Sequence, residues 1–238
     1  MKFIKTTFLL FLAITFCSAL APVYGQKIEN YSGLEGFTTT SNIEILDDFS
    51  QTEGLIKIGD AFSKARGATA FSAINNLNRR AKRKLLEEAT VRGASHVFIT
   101  KGFPDDGIGL TTIFIGRLFT YQAIFYKSED KVLSENQVKN ILSGHRFVNT
   151  QNMSTNRNAF NANHIRIGSG KLFTIDENAE LSTRKGKIYL TTKSPKPIGI
   201  IKADEFEIIG INENHILLSQ ELVPDKKYRA FLMKKDAK

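Results

Sequence analysis

The chain has 238 residues, 42% of them hydrophobic, and a formal net charge of +9 from 33 lysines and arginines against 24 acidic residues. Its single cysteine, Cys17, excludes an intramolecular disulfide framework and a zinc site built from cysteine pairs. The positive charge either favours acidic partners or serves only solubility, because net charge contributes to both.

Residues 1–25 have the pattern of a secretory signal peptide: two lysines, an apolar run, and small residues before a cleavage site. The apolar run is shorter than the roughly 20 residues that cross a bilayer. We predict cleavage after Gly25, which leaves Gln26 at the N-terminus. Lipidation of Cys17 is the alternative, but bulky Phe16 stands where a small residue normally precedes the lipid-carrying cysteine. The prediction is therefore an exported protein, periplasmic or extracellular, without a lipid anchor.

Removal of the leader takes away Lys2, Lys5 and Cys17 and no acidic residue, which leaves a cysteine-free chain with a net charge of +7. Thiolate nucleophiles and cysteine metal sites are then excluded. Chromosomal DNA and ribosomal RNA are out of reach of an exported protein, so we expect no nucleic-acid partner. The sequence leaves open an anionic envelope component, an envelope protein and a small apolar ligand.

Residues 26–41 contain turn-forming Asn and Gly and little periodicity, which predicts an arm. We predict an α+β domain over residues 42–127. Its helix runs from Phe71 to Arg92, because apolar residues recur there at three- and four-residue steps. Ser72 is the expected N-cap, and Gly93 fits the position just beyond the C-terminal end.

Extended segments at residues 96–100 and 111–127 follow the helix, with a turn-rich loop between them. Together with a short strand near the start of the domain they predict a small sheet with the helix packed on one face. The expected core residues are Ile45, Ile74, Leu77, Leu85, Val97, Ile99 and Ala123.

The run LLEEATVRGASHVFI, residues 85–99, has small residues at Ala89 and Ala94 around a helix-to-strand turn, and the strand YQAIFYK follows. This pattern resembles the small envelope domains of the YbjQ type and of the Rcs stress-sensor lipoprotein. The resemblance covers about residues 42–127 and implies a secreted, non-catalytic envelope module. The disulfides of the sensor lipoprotein have no counterpart here.

Residues 128–159 are predicted to be a linker with one short helix, Ser134 to Leu142, whose N-cap is Ser134. Residues 160–238 contain short alternating segments separated by turns, which predicts an all-β barrel or sandwich. The final segment, residues 205–235, is faintly similar to the last strands of bacterial lipocalin-like domains, and this favours a β-barrel.

The predicted helix carries five cations within six residues. In the functional interpretation they bind an anionic partner; in the structural interpretation, which we favour, they form a solvated helix face. Glu87 and Glu88 lie four residues after Arg83 and Lys84, so part of the charge is balanced locally. The candidate anionic-partner residues are Arg79, Arg80, Arg83 and Lys84.

Other motifs predict no catalytic, cofactor or metal site. The GSGK run at residues 168–171 resembles a phosphate loop, but Ile165 and Leu172 stand where Gly and Ser or Thr are needed, so a hairpin turn is expected. The four histidines lack the local spacing of a zinc site, and Asp105 and Asp106 lack the spaced acidic ligands of a calcium loop. No serine lies in a G-x-S-x-G motif.

We therefore predict an α+β envelope protein of two domains, with a non-enzymatic binding or scaffolding role and no cofactor. The alternatives are a secreted, hydrolase-like enzyme with dispersed active-site residues, and a protein that binds an anionic surface through its basic helix.

Overall fold

The structure is a computed structural model that describes residues 34, 37–68, 71–105, 116–155, 157–161, 164–170, 173–175, 179–192, 205–224 and 226–236. The predicted leader, Cys17, most of the predicted arm, and the side chains of Asp105 and Asp106 lie outside the described residues.

The first unit is a four-stranded sheet with one helix on its face, in the strand order β1-β3-β4-β2. Strand β1 runs parallel to β3, and the other pairs are antiparallel. A 3-10 turn, Phe49–Thr52, connects β1 to β2. The elements are β1 (Glu44–Leu46), β2 (Ile56–Arg66), α1 (Ile74–Val91), β3 (His96–Asp105) and β4 (Leu118–Lys127).

Helix α1 begins later than the periodicity predicted. Ala73 is the N-cap, without a side-chain hydrogen bond, and the first helical residue is Ile74. Phe71 is 92% exposed, so the prediction that Phe71 packs in the helix and that Ser72 caps it is wrong. The apolar period continues back to Phe71, but the helix does not. Gly93 follows the C-terminal end with φ +69°, a left-handed conformation that favours glycine, as predicted.

All but one of the expected core residues lie in the core between the small sheet and α1 or pack against it. Leu77, Leu85, Val97 and Ala123 are at most 3% exposed, and Ile74 and Ile99 pack against them. Ile45 is only half-buried, because β1 is an edge strand, with a neighbour on one side only among the strands that the structure describes. Ile43 takes its place in the core.

The second unit is an eight-stranded antiparallel sheet in the order β6-β5-β12-β11-β10-β9-β8, with β7 paired to β5. Closure into a barrel requires hydrogen bonds between the two edge strands. Within the described residues the sheet is open, so the predicted barrel is not found. The strands are β5 (Phe147–Thr155), β6 (Ile165–Ser169), β7 (Thr174–Ile175), β8 (Glu180–Arg184), β9 (Lys187–Thr191), β10 (Glu205–Ile211), β11 (His215–Val223) and β12 (Lys227–Lys235).

Strand β5 lies in the stretch expected to be a linker. It pairs with β12 on one side and with β6 and β7 on the other. Its polar side chains find partners on the neighbouring backbone: Asn149 donates to Leu232 O at 3.3 Å, and Thr155 Oγ1 donates to Tyr228 O at 3.3 Å. The short predicted helix is present as α2 (Glu135–Leu142), with Ser134 as its N-cap in a capping box.

Both faces of the large sheet are covered. Helix α2 contributes Val138 and Leu142 to the core on one face. On the other face, Val91 at the end of α1 and Phe37 pack with Ile209, Leu217 and other residues of β10 to β12. The end of α1 therefore belongs to the cores of both units, and the two sheets meet there.

Candidate functional site

Four charged side chains at the junction of the two sheets lie on one line along α1. Arg80, Lys84, Glu88 and Arg92 recur every four residues, and residues at this spacing are neighbours on a helix surface. We call these four residues the α1 ridge. It contacts the outer edge of β2 and residues 157–161, which follow β5.

The cations of the α1 ridge cap the open edge of β2. Within the described residues that strand pairs only with β4, so carbonyls on its other edge lack a strand partner there, and uncovered edges of this kind promote aggregation. Three side chains donate to these carbonyls: Arg92 Nη1 to Asp60 O at 2.8 Å, Lys84 Nζ to Lys64 O at 3.1 Å, and Arg80 Nη1 to Arg66 O at 3.2 Å.

The same cations also hold residues 157–161. Lys84 Nζ donates to Asn158 O at 2.9 Å, and Arg80 Nη2 donates to Phe160 O at 2.9 Å. Lys84 is 1% exposed. Burial, together with the nearby charge of Arg80, lowers the pKa of its amine from 10.5 to about 8. The structure thus places a buried lysine where the sequence suggested an exposed cation.

Glu88 is the anionic centre of the ridge and is fully buried. Its Oε2 lies 2.7 Å from His164 Nε2, and its Oε1 lies 2.8 Å from Arg157 Nη2 and 3.5 Å from Arg92 Nη1. Burial raises the pKa of this carboxyl, but the hydrogen bond and charge of His164, with the two arginines, lower it by more. Glu88 is therefore an ionised carboxylate that joins α1 to the segment before β6.

Glu87 binds the start of β6. Its Oε2 accepts hydrogen bonds from the backbone N–H groups of His164 at 2.6 Å and Ile165 at 3.3 Å. Burial raises the pKa of this carboxyl. Arg83 Nε lies 3.6 Å from Glu87 Oε1, so the expected pair at four-residue spacing is formed. The corresponding pair between Lys84 and Glu88 is absent from the ion pairs of the described chain, because Glu88 turns to His164 and the arginines.

The four candidate anionic-partner residues are therefore divided between two environments. Arg79 is exposed and donates to Asn76 Oδ1 at 3.1 Å. Arg83 is half-buried, and Arg80 and Lys84 turn towards the chain's own backbone. The structure brings Arg80 and Lys84 together but directs Arg79 away from them. Binding of an anionic partner by this set stays a prediction.

A cleft of about 290 Å³ opens where the α1 ridge ends. Arg92 lies at the junction, with its guanidinium 5.0 Å from the ring centre of Phe125 and 4.6 Å from that of Tyr228. The small sheet contributes Ile58, and strands β9 to β12 form the opposite wall. The lining residues are Ile58, Arg92, Lys187, Tyr189, Glu205, Glu207, Ser219, Gln220, Glu221 and Tyr228.

Three carboxylates line this cleft, and each is held by a neighbour. Glu207 Oε2 lies 2.9 Å from Lys187 Nζ, and Glu221 Oε1 accepts from Tyr228 Oη at 2.7 Å. Glu205 Oε2 lies 2.5 Å from Nη2 of Arg184 on β8. Burial raises the pKa of the Tyr189 phenol, and Glu207 adds to this effect. The cleft therefore offers fixed oxygen acceptors beside protonated phenols.

The cleft residues did not emerge from sequence reasoning. A signal was present in the runs EFE and SQE, because residues two apart on a strand share a face. Glu207 lies opposite Ser219 on β11 and Tyr189 on β9. The pairing of β10 with those two strands is what assembles the wall, and neither run reveals it alone.

Among the described side chains, no group of three or more histidine, aspartate or glutamate residues is arranged to hold a metal ion. No described helix combines the length and apolar character needed to cross a membrane.

Comparison of the chain with protein-family models, with curated proteins and with solved structures gives no match. The resemblance of residues 42–127 to small envelope domains, and that of residues 205–235 to lipocalin-like strands, therefore stay predictions.

Proposed function

We propose that this protein is an exported, non-enzymatic binding protein of a bacterial envelope, and that its ligand occupies the cleft at the end of the α1 ridge. The observation that carries the proposal is the composition of the cleft wall. Side chains from both sheets converge on one cavity of about 290 Å³. Sites for small molecules are concave and carry a few well-placed polar groups, and they are common at junctions between domains.

The lining favours a small polar ligand rich in hydroxyl groups, such as one or two sugar units. Carboxylates accept hydrogen bonds, while phenols both donate and accept, and a polyol complements both. The rings of Tyr189 and Tyr228 add apolar surface. A small apolar ligand, which suits a closed barrel, is less well matched to this wall.

The pairing of the carboxylates supports binding rather than catalysis. Glu207 is paired with Lys187, and Glu205 with Arg184. A charge-assisted pair fixes the position and orientation of a carboxylate, as a hydrogen-bond acceptor in a binding site requires. Carboxylates held in place in this way suit a site that binds hydroxyl groups.

Mass spectrometry of the processed protein from its native envelope tests this proposal. We expect a start at Gln26 and an adduct that is present under native conditions and lost on denaturation. Glu207→Ala should lose the adduct, because the carboxylate lies in the cleft. Glu213→Ala is the matched control, because Glu213 is exposed in the turn between β10 and β11.

Two results would contradict the proposal. An adduct retained in Glu207→Ala, or absent from both the wild type and the control, would remove the cleft as the ligand site. Conversion of the released adduct by added protein would favour the hydrolase-like alternative over a binding role.

A further inference from the structure

Two phenylalanines near the start of α1 are largely exposed. Phe71 is 92% exposed and Phe160 is 60% exposed. Exposure of an aromatic side chain of this size is unfavourable, because a large apolar area stays hydrated. Apolar surface surrounded by polar residues is typical of an interaction site.

The two side chains lie at the same end of the small unit. Phe71 precedes the first residue of α1 by three positions. Phe160 is held against the second turn of the helix, because its carbonyl accepts from Arg80 Nη2 at 2.9 Å. Its ring centre lies 5.7 Å from the guanidinium of Arg66 at the end of β2.

This end of the unit is strongly cationic. Arg79 and Lys82 are exposed on α1. The chain has no acidic residue between positions 61 and 86, which include the first three turns of α1, and none between positions 136 and 175, which include Phe160. The positive charge around the aromatic rings is therefore not balanced by a nearby acid in either segment.

We propose that Phe71, Phe160, Arg79 and Lys82 form a docking surface for an anionic phospholipid bilayer. Cations of a peripheral protein attract acidic lipid headgroups, and aromatic side chains insert at the headgroup boundary. Charge complementarity favours this occupant over a second copy of the chain, since two identical patches would bring like charges together. The surface is separate from the cleft, so this inference goes beyond the proposed ligand.

Vesicle co-sedimentation tests the surface. The protein is used in its processed form from Gln26, so that the apolar leader cannot itself bind lipid. The wild type should sediment with phosphatidylcholine vesicles that contain phosphatidylglycerol, should not sediment with pure phosphatidylcholine, and should be released by high salt.

Charge reversal and loss of the rings should each weaken binding. Each cation near an anionic surface contributes about a fivefold change in affinity, so Arg79→Glu with Lys82→Glu should reduce binding at least about 25-fold. Phe71→Ser with Phe160→Ser should reduce it about tenfold, because the inserted apolar area is lost. All four side chains are exposed, so both variants should remain folded, and thermal unfolding checks this.

Three controls match these changes. Lys185→Glu with Lys234→Glu alters the net charge equally at exposed positions of the large sheet, and Phe49→Ser removes a 62% exposed ring near β1. Glu207→Ala alters the cleft alone. All three should bind the anionic vesicles as the wild type does.

The inference is overturned if the wild type ignores anionic vesicles, if the phenylalanine variant binds unchanged, or if the charge control loses as much affinity as Arg79→Glu with Lys82→Glu. A dimer in sedimentation velocity that Phe71→Ser abolishes would assign the surface to a second copy. Binding to an acidic protein without binding to vesicles would assign it to a protein partner.

Discussion

Replacing Gly93 with alanine tests the contact that joins α1 to the large sheet. Gly93 has φ +69°, and a Cβ at this position would lie 2.7 Å from Ile209 Cβ and 3.2 Å from Ile209 Cγ2. Ile209 Cβ is attached directly to the backbone of β10, so it cannot move aside as the end of a flexible side chain would. The methyl group would therefore push the helix end and the strand apart.

The expected cost has two parts. A non-glycine residue in the left-handed conformation costs about 1–2 kcal/mol, and an added carbon in a packed interface costs about 1–3 kcal/mol. We expect Gly93→Ala to lower the free energy of unfolding by about 2–5 kcal/mol, measured by urea denaturation.

Gly144→Ala provides the matched control. Gly144 occupies the equivalent position after α2, with φ +71°, and beyond its chain neighbours no atom of the described residues lies within 4 Å of the Cβ it would carry. It should show only the conformational cost, about 1–2 kcal/mol. If the two variants lose the same stability within about 0.5 kcal/mol, the close approach of α1 to β10 is wrong.

Two further predictions concern the α1 ridge. Between pH 8 and 10.5 the folded protein lacks the Lys84 proton that the unfolded chain still binds, so wild-type stability should rise by about 3 kcal/mol relative to Lys84→Met. Parallel urea titrations across this range measure the free energy of unfolding of both proteins. If that free energy changes equally with pH in the two proteins, the buried amine is contradicted. Glu88→Gln should cost about 3 kcal/mol at pH 7, because Arg157 and His164 lose a buried carboxylate. The lowered pKa of Glu88 means that its stabilising effect begins to decline as the pH falls below about 4.5. The stability gap between this variant and the wild type should therefore narrow progressively in acid, and a gap that stays constant with falling pH would refute the ionised carboxylate.

Periodicity predicted the buried stripe of α1 but not where the helix begins. Leu77, Ala81, Leu85 and Ala89 are buried as the three- and four-residue steps indicated. Phe71 fits the same period and is exposed, because periodicity describes a helix face and contains no information about whether another surface covers it.

The missed strand β5 has a different cause. Its Asn, Ser and Thr residues favour turns in isolation, since their side chains compete for backbone hydrogen bonds. In the sheet those side chains bond to the backbone of β12, as Asn149 and Thr155 do. Pairing with β12 overrides the local preference for turns. Because β12 lies more than 70 residues later in the chain, the local sequence of β5 does not reveal this pairing.

The α1 ridge was visible in the sequence only as a spacing. Arg80 and Lys84 lie four residues apart, and this alone predicts a shared face. Their partners, Phe160 and Asn158, are 80 and 74 residues away. A local pattern cannot identify contacts at that distance, so it could not separate cations that hold the protein together from cations that face solvent.

Helix geometry resolves that ambiguity, because successive residues turn by about 100° around the axis. Arg80 therefore points into the junction while adjacent Arg79 points out, and the basic run contains a structural face and a surface face at once. Simultaneous reversal of Arg79, Arg80 and Arg83 would disturb both and could not distinguish them. Arg79→Glu alone should lower binding to anionic vesicles at least about fivefold, because one attracting cation is lost, and should leave urea stability unchanged. Arg80→Glu should instead lose stability through its carbonyl contacts with Arg66 and Phe160. Equal loss of stability in the two variants would show that the run has a single role.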